Sequence, residues 1–371
     1  MPASNERRIP GQIELLRLTR IFPVSSITLA LLSATLRPMK SQPTSLVDTF
    51  DRGIRYLRLS VTDRCDFRCQ YCMAEDMQFL PRKAVLTDDE LVKLATIFTE
   101  LGVRKIRLTG GEPLIRPGIE QLSARLSAMP LLEELVMTTN GSQLAAKAPD
   151  LVAAGVSRVN ISIDTLDPDS FASMSRTGKL EQVLDGIDAA VRAGFKRIRL
   201  NAVLLRGHND DQVIPLVAFA IDKGVDIAFI EEMPRGHITQ TGRSSGVVYS
   251  SEVMKTVASV YELDTAAKDK YGGPAKLSPI VGTQTRVGVI SPLSDNFCSD
   301  CNRLRLTPDG RLILCLGHEN SLDLRQLLRN DTETSKLKHA IVGALTYKPE
   351  RHVFDQPDEP QVLRFMNATG G

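Results

Sequence analysis

The chain has 371 residues, of which 42% are hydrophobic and 24% charged, so it is long and apolar enough to bury a large core. Its formal net charge of +2 argues against a broad basic surface that binds nucleic acid, so an anionic ligand would have to be held by individually placed arginines. The 6 cysteines are too few for a disulfide scaffold, and their grouping is typical of metal binding in a reducing, cytoplasmic compartment.

The N-terminal residues 1–46 differ in character from the rest of the chain. Arg17 and Arg20 precede an apolar stretch, residues 21–36, which superficially resembles a signal peptide or a short membrane anchor. This stretch is shorter than the ~20 apolar residues of a membrane span, and it contains several serines and threonines. Export would also oppose the assembly of reduced metal clusters. We therefore expect a disordered or wrongly included extension, with Met39 as an alternative start and no membrane association.

Three cysteines follow the first strand-like segment of the chain. Cys65, Cys69 and Cys72 are separated by gaps of three and two residues. Three thiolates suit three corners of a cubic [4Fe–4S] cluster, and no fourth cysteine lies nearby, so one iron would stay open to a ligand from outside the protein. A structural zinc site is the less favoured alternative, because zinc needs four ligands and no other histidine or cysteine is within reach.

Six β-branched or apolar runs alternate with amphipathic runs over the next part of the chain, as in a parallel sheet or barrel. The predicted strands are Arg55–Val61, Arg104–Thr109, Glu134–Thr138, Ser157–Ile163, Arg197–Leu204 and Asp226–Glu231. The predicted helices are Asp88–Leu101, Gly118–Ala128, Gln143–Ala154, Leu180–Ala193 and Asp210–Lys223. Six such units predict an α/β fold, an incomplete TIM-type (β/α)6 barrel over residues 47–280.

Small and polar residues follow these strands at their carboxyl ends. Gly110-Gly111-Glu112-Pro113 follows the second strand, Thr138 ends the third, Ser162 ends the fourth and Met233 follows the sixth. The carboxyl ends of a parallel barrel share one face, on which active sites are built, so we expect these residues to converge. For any one of them taken singly, simple termination of a strand is the favoured interpretation.

After about residue 281 the pattern changes to short strands and helices. The strands are predicted over Arg286–Ile290, Arg303–Thr307 and Arg311–Leu314. We expect a smaller α+β module over residues 281–347, which closes the open side of the barrel, and a C-terminal tail over residues 348–371.

This module carries a second cysteine set. Cys298 and Cys301 are followed, after thirteen residues, by Cys315. Spacing alone favours an iron–sulfur cluster and zinc equally, because His318 could complete a Cys3His zinc site. In either case we expect the second metal to lie opposite the first cysteine triplet.

Together these motifs resemble the radical S-adenosylmethionine (SAM) enzymes and, within them, the GTP 3',8-cyclase family of molybdenum cofactor biosynthesis. The first triplet with Gly110-Gly111-Glu112-Pro113 carries the resemblance to the superfamily. Cys298 and Cys301, the run Asn302-Arg303-Leu304-Arg305, Cys315 and the terminal pair Gly370-Gly371 are similar to the cyclase family. The resemblance extends from about Leu46 to the last residue.

The resemblance implies a radical SAM lyase with two [4Fe–4S] clusters, SAM at the open iron of the first and GTP facing that of the second. A 5'-deoxyadenosyl radical would remove the 3' hydrogen of GTP. The sugar radical would then add to guanine C8, giving (8S)-3',8-cyclo-7,8-dihydroguanosine 5'-triphosphate. A homodimer, a low-potential electron donor and cyclic pyranopterin monophosphate synthase as the downstream enzyme are also implied by the family.

Residue roles carry over by position. The SAM contacts are Tyr71, Gly111, Ser162 and Met233, and the cluster ligands are Cys65, Cys69, Cys72, Cys298, Cys301 and Cys315. The GTP contacts are Arg58, Arg107, Thr138, Arg199, Arg303, Leu304 and Arg305. The catalytic set is Arg303, Arg305, Gly370 and Gly371, since the glycine tail of the family enters the active site. An arginine within a barrel strand is costly unless an anion or a carboxylate pairs with it, so these arginines indicate either an anionic ligand or a structural ion pair.

Two positions depart from the family pattern. Arg199 stands where the family commonly has a GTP-binding lysine, and a planar guanidinium does not replace an ammonium in geometry. Ala228 stands where many members have an arginine, and Arg235 is a nearby candidate to compensate for that charge. These changes leave the reaction class intact and put the individual phosphate contacts in doubt.

Two other classes of protein fit less well. A peptide- or sulfatase-maturing radical SAM enzyme also carries late cysteines, but usually more than three. An iron–sulfur electron carrier or a zinc-stabilised binding module would need neither a large barrel nor the SAM-type glycine motif.

Overall fold

One mixed sheet of eleven strands organises the part of the chain that the computed structural model describes, residues 45–233, 246–265, 273–354 and 364–370. The strands are β1 (Tyr56–Ser60), β2 (Lys105–Thr109), β3 (Glu134–Thr139), β4 (Arg158–Ser162), β5 (Arg197–Leu204), β6 (Asp226–Glu231), β7 (Lys276–Pro279), β8 (Arg286–Ile290), β9 (Arg303–Leu306), β10 (Arg311–Ile313) and β11 (Ser321–Asp323). Apart from Ser45 and Leu46, the predicted N-terminal extension lies outside the described residues.

The spatial order of the strands is β11-β10-β9-β1-β2-β3-β4-β5-β6-β8-β7. The eight central strands, in the order β9, β1, β2, β3, β4, β5, β6 and β8, pair in parallel with one another. Strand β7 pairs antiparallel at one edge, and β10 and β11 pair antiparallel at the other. The six strands predicted for the barrel therefore lie side by side in chain order, each within one residue of its predicted bounds. The prediction of an α/β fold with a mainly parallel sheet is confirmed.

Helices connect the parallel strands, as parallel pairing requires. Those between β1 and β6 are α1 (Asp88–Glu100), α2 (Ile119–Ser127), α3 (Leu144–Ala153), α4 (Pro168–Ser175), α5 (Leu180–Ala193) and α6 (Val213–Lys223). Helix α7 (Ser250–Ala258) lies between β6 and β7, and α8 (Leu324–Arg329), α9 (Thr334–Ala344) and α10 (Met366–Thr369) follow β11. A capping box of Thr87 and Glu90 begins α1. Helix α4 was not among the predicted elements. Within the described ranges, no helix is both long and apolar enough to cross a bilayer.

The C-terminal strands are divided between the two edges of the sheet. Strand β8 pairs with β6, and β7, which precedes the predicted boundary at residue 281, pairs with β8. Strand β9 instead pairs in parallel with β1 at the opposite end of the row, and β10 and β11 follow it. The second cysteine set is thereby brought beside β1, which leads into the first.

The two faces of the central strands have different characters. Strand β5 alternates buried apolar residues, such as Leu200 and Ala202, with half-buried polar ones, such as Arg199 and Asn201. Since successive side chains of a strand point to opposite faces, one face packs in the hydrophobic core and the other is left for polar groups. The candidate site is built on this polar face.

Candidate active site

A cavity of about 700 Å³ is lined by residues from both ends of the sequence. Its lining includes all six cysteines, Cys65, Cys69, Cys72, Cys298, Cys301 and Cys315. It also includes the predicted ligand contacts Tyr71, Gly111, Ser162, Met233, Arg58, Arg107, Thr138, Arg199, Arg303 and Arg305. The parallel strands bring these residues together because their polar side chains share one face of the sheet.

The first cysteine loop is held by backbone hydrogen bonds to helix α4. The amides of Arg68 and Gln70 donate to the carbonyls of Ser175 and Met174, each over 3.0 Å. Burial raises the pKa of the Cys65 and Cys69 thiols, so both are protonated without a ligand and metal binding would release protons. Helix α4 thus fixes the loop that carries the triplet.

Gly111 packs directly against the chain that enters this loop. Its amide donates to Thr62 O over 2.7 Å, and a Cβ at this position would lie 2.2 Å from Arg64 O. The sequence suggested that the glycines allow close approach to a ligand. The structure gives Gly111 a second reason, because only a residue without a side chain lets the two backbone segments meet here.

Tyr71, between two of the cysteines, is fixed by Asp164 at the end of β4. The Tyr71 hydroxyl donates to Asp164 Oδ2 over 2.7 Å, and Val203 N donates to Asp164 Oδ1 over 2.8 Å. Burial raises the pKa of Asp164 to about 6. The position of Asp164 after the fourth strand, beside Ser162, predicts that it lies at the active-site face, but no sequence signal indicates its contact with Tyr71.

Three arginines form a row across neighbouring strands. Arg305 of β9 lies opposite Arg58 of β1, which lies opposite Arg107 of β2. Adjacent strands are only about 4.8 Å apart, so three like charges at one level repel one another. Burial, followed by the charges of Arg107 and Arg303, lowers the pKa of Arg58 to about 10, despite the opposing effect of Tyr56.

The hydrogen bonds of Arg107 offer this row one group that can become anionic, the Tyr56 hydroxyl. Arg107 donates to Met137 O and to Thr138 Oγ1, each over 3.1 Å, and to the Tyr56 hydroxyl, and it is only 5% exposed. None of these partners is a carboxylate. Concentrated cationic charge on a buried surface is the arrangement that a phosphate-bearing ligand stabilises.

Arg199 faces the same cavity from β5. Its Nε donates to Asn201 Oδ1 over 3.0 Å, and burial together with the charge of Arg107 lowers its pKa to about 9. Ala228 on the next strand is fully buried, and the neighbouring cavity residue Arg286 is paired with Asp226. Arg235, the candidate to compensate for Ala228, lies outside the described residues.

The second cysteine set lies beside β9 and is enclosed by cationic groups. Burial raises the pKa of the Cys301 thiol, but the charges of Arg303 and Lys348 outweigh it and lower that pKa to about 7. His318 Nε2 lies 3.0 Å from Arg351 O. Among the described residues, no three His, Cys, Asp or Glu side chains are placed to hold a single metal ion.

The C-terminal tail reaches the cavity. Met366 N donates to Cys72 O over 3.2 Å, Asn367 Nδ2 donates to Asp63 O over 3.0 Å, and Arg305 Nη1 donates to Gly370 O. The tail therefore contacts both the first cysteine loop and the arginine row. Gly371, the last residue, lies outside the described residues.

One predicted contact has its side chain elsewhere. Leu304 alternates with Arg303 and Arg305 in β9, and its side chain is 1% exposed in the hydrophobic core. Only its backbone remains for a contact with a ligand. The sequence analysis also missed cationic or polar cavity residues, namely Tyr56, Lys105, Asn140, Arg158, Asn160 and Lys348.

Tyr56 carries a testable pH dependence. Burial would raise the pKa of its hydroxyl, but the charges of Arg107, Arg58 and Lys105 lower it to about 7. The pKa of an unfolded tyrosine is about 10, so the ionised side chain stabilises the folded state. That stabilisation is fully present above pH ~10 and is lost as pH falls through about 7.

We therefore expect the free energy of unfolding of the ligand-free protein to rise more steeply with pH, between about 7 and 10, than that of Tyr56→Phe. Denaturant unfolding over this range measures the difference. Tyr347→Phe is the matched control, because Tyr347 is 51% exposed. Parallel curves for the wild type and Tyr56→Phe would contradict the expectation.

Comparisons with known proteins agree with this geometry. Residues 59–220 match the family described as the radical SAM superfamily, and residues 225–354 match Molybdenum Cofactor Synthesis C. The chain is 54% identical to the GTP 3',8-cyclase of Pseudomonas entomophila (strain L48) over 335 residues, 90% of this chain and 100% of the relative. It is 57% identical to GTP 3',8-cyclase 1 of Pseudomonas aeruginosa over 332 residues, 88% of this chain and 100% of the relative.

Among solved structures, Streptococcus suis SuiB superimposes with a TM-score of 0.53 at 15% identity, over 84% of this chain and 76% of SuiB. At that identity the likeness concerns the fold alone.

Proposed function

This chain belongs to the GTP 3',8-cyclase family of radical SAM enzymes, and we propose that the cavity between its two cysteine sets is where the cyclisation occurs. The GTP 3',8-cyclase reaction is the first step of molybdenum cofactor biosynthesis. The observation that carries the assignment of the site is the meeting of two cysteine triplets and a row of three arginines in one cavity. A radical generator and an anionic substrate would both be held there.

The first triplet has the donor set for a [4Fe–4S] cluster with one open iron. Its three thiols line the cavity, and the nearby Asn140 Nδ2 lies 3.8 Å from Cys65 Sγ, where an amide can donate to a bound thiolate. Cys65, Cys69 and Cys72 would hold this cluster, and with SAM it would supply the 5'-deoxyadenosyl radical chemistry that the cyclisation of GTP between C3' and C8 needs. Tyr71, Gly111, Ser162 and Met233 are proposed to hold SAM.

The arginine row is proposed to bind the triphosphate of GTP. Arg305, Arg58 and Arg107 present guanidinium groups at one level, and Arg199 adds a fourth from β5. A triphosphate relieves their mutual repulsion and accepts charge-assisted hydrogen bonds. Thr138, bonded to Arg107, is proposed to complete this set.

The second triplet is proposed to hold another [4Fe–4S] cluster, which would have one iron open to bind guanine. Its three thiols line the same cavity, and Arg303 and Lys348 supply positive charge beside Cys301. Thiolate ligands and a bound cluster are anionic, so this environment fits them. His318 does not line the cavity with the three cysteines, and no three described His, Cys, Asp or Glu side chains are placed around a single metal ion, which supports the iron–sulfur proposal over the Cys3His zinc alternative.

The sequential order of β1 to β6 supports an incomplete (β/α)6 barrel over residues 47–280. We propose that residues 281–347 complete it as a module with the second cluster and that residues 348–371 form the tail. A homodimer, a low-potential electron donor, transfer of product to cyclic pyranopterin monophosphate synthase and a cytoplasmic location are further proposals from family membership.

Anaerobic incubation of the reconstituted protein with SAM, a low-potential reductant and GTP tests the function. Mass spectrometry should detect 5'-deoxyadenosine and a cyclised isomer of GTP, and Cys72→Ala should abolish both. Absence of both products despite two intact clusters would defeat the assignment. SAM cleavage with no cyclised GTP would favour a different radical SAM substrate, such as a peptide, whereas an electron carrier should not cleave SAM.

A further inference from the structure

Lys348 is a buried lysine beside the second cysteine set. It ends the 3-10 turn Leu345–Tyr347, which follows α9, and it is only 3% exposed. Its Nζ donates to Leu314 O over 2.6 Å and to Arg303 O over 3.4 Å, and it lies 3.6 Å from Cys301 Sγ. Two carbonyls therefore aim the ammonium at the sulfur of a proposed cluster ligand.

The charge of Lys348 is not balanced by these partners. Among the described residues, the hydrogen bonds given above join its ammonium to two carbonyls and one sulfur, none of them a carboxylate. The neighbouring charge of Arg303, near Cys301, is also positive, whereas that of Arg52, near Cys298, is paired with Asp48. A buried ammonium among cations is costly unless an anion compensates it.

A buried ion pair fixes the position of this lysine. Arg52 donates to Pro349 O over 2.7 Å, to Glu350 O over 2.6 Å and to Cys298 O over 2.8 Å, while Asp48 holds its Nε over 2.6 Å. The segment that begins with Lys348 is thus tied to the backbone of the cysteine loop itself. Neither Asp48 nor Arg52 contacts the ammonium, so the ion pair positions Lys348 without neutralising it.

We propose that Lys348 is the charge-compensating and positioning residue of the second cluster, donating a hydrogen bond to Cys301 Sγ and stabilising the reduced cluster. A [4Fe–4S] cluster held by three thiolates is anionic and gains one negative charge on reduction. A fixed positive charge and a hydrogen bond to a ligand sulfur both raise the reduction potential of such a cluster. The inference rests on the second cluster of the proposed function.

The test isolates the second cluster in the full-length chain carrying Cys65→Ala, Cys69→Ala and Cys72→Ala. Anaerobic redox titration followed by electron paramagnetic resonance then measures its reduction potential. Lys348→Met and Lys348→Gln should shift that potential downward, because both remove the charge. Lys348→Arg keeps the positive charge and should leave the potential close to that of the chain with Lys348. The control is Lys336→Met, which should also leave the potential unchanged, because the Lys336 side chain is 70% exposed.

Iron analysis and circular dichroism separate the outcomes. Absence of a cluster from the triple variant with Lys348 intact would refute the second cluster itself. A cluster whose potential is unchanged in both neutral variants would overturn the role of Lys348 alone. If Lys348→Met and Lys348→Gln fold but lose iron, while Lys348→Arg keeps it, the result would support the compensation of the cluster's negative charge by Lys348. Loss of iron from Lys348→Arg as well, or unfolding of both neutral variants, would assign Lys348 to packing and overturn the proposal.

Discussion

Arg58→Met is expected to lower kcat/KM for GTP by about 10- to 100-fold, the loss that follows from removing charge-assisted hydrogen bonds to a phosphate. Arg58 is the central member of the row formed with Arg305 and Arg107. Its removal would take away a proposed phosphate contact and lower the positive potential of the cavity that would attract the triphosphate. Steady-state kinetics with GTP, at saturating SAM and reductant, measure the effect.

The same substitution is expected to raise the thermal midpoint of the ligand-free protein. Burial and the charges of Arg107 and Arg303 disfavour the Arg58 cation in the folded state, as its lowered pKa indicates. Methionine fills similar space without that charge. We therefore also expect GTP to stabilise Arg58→Met less than the wild type in thermal unfolding.

Arg55→Met is the matched control for this prediction. Arg55 lies just before β1, is exposed, and its Nη1 lies 3.4 Å from Gly102 O. It should leave kcat/KM and the stabilisation by GTP unchanged. If Arg58→Met behaved like Arg55→Met in both measurements, the arginine row would have no part in binding GTP.

Gly370→Ala is expected to reduce kcat by about 100-fold or more, since a displacement of about 1 Å in an active site has effects of that size. Gly370 has a φ of 76°, which disfavours a side chain, and a Cβ there would lie 2.1 Å from Thr109 Oγ1. The tail must shift, and Arg305 then loses its hydrogen bond to Gly370 O. Folding and the iron content should stay as in the wild type.

Gly343→Ala provides the control for the effect of an added methyl group. Gly343 lies in α9, and a Cβ there would have no heavy atom within 4 Å. Helix propensity predicts a gain of up to about 1 kcal/mol in the free energy of unfolding and no change in kcat. Full activity of Gly370→Ala, with iron content equal to that of Gly343→Ala, would remove the tail from the catalytic site.

The departures from the family pattern have a physical setting in the structure. Arg199 and Arg107 both line the cavity, and the charge of Arg107, together with burial, lowers the pKa of Arg199. A guanidinium in place of an ammonium at this position keeps the cationic field while changing the geometry of individual hydrogen bonds. Ala228 is buried and supplies no charge from β6, and Arg286, which also lines the cavity, is paired with Asp226.

Much of the fold follows from local pattern. The strands β1 to β6 were predicted within one residue because each is a short apolar run followed by a turn and a helix with apolar residues at helical spacing. Helix α4 was missed because its eight residues, Pro168–Ser175, carry a weak apolar pattern. Its start was nevertheless readable, since Asp167 caps it and Pro168 occupies the first turn.

The sequence by itself determined the reaction class. Cysteine spacing, the glycine motif after a strand and the Arg303-Leu304-Arg305 run are local features, and their resemblance to the GTP 3',8-cyclase family implies this reaction, whereas spacing alone left zinc open at the second cysteine set. It also indicated that Arg58 and Arg107 need an anion, because a charge within a buried strand must be compensated.

Only the tertiary structure decided how these features combine. Strand β9 pairs with β1 across more than two hundred residues of sequence, and this register alone aligns Arg305 with Arg58 and Arg107. Lys348 likewise reaches Cys301 because Arg52 ties its segment to the cysteine loop. Such long-range pairing depends on packing between distant segments, which leaves no periodic signal in either segment.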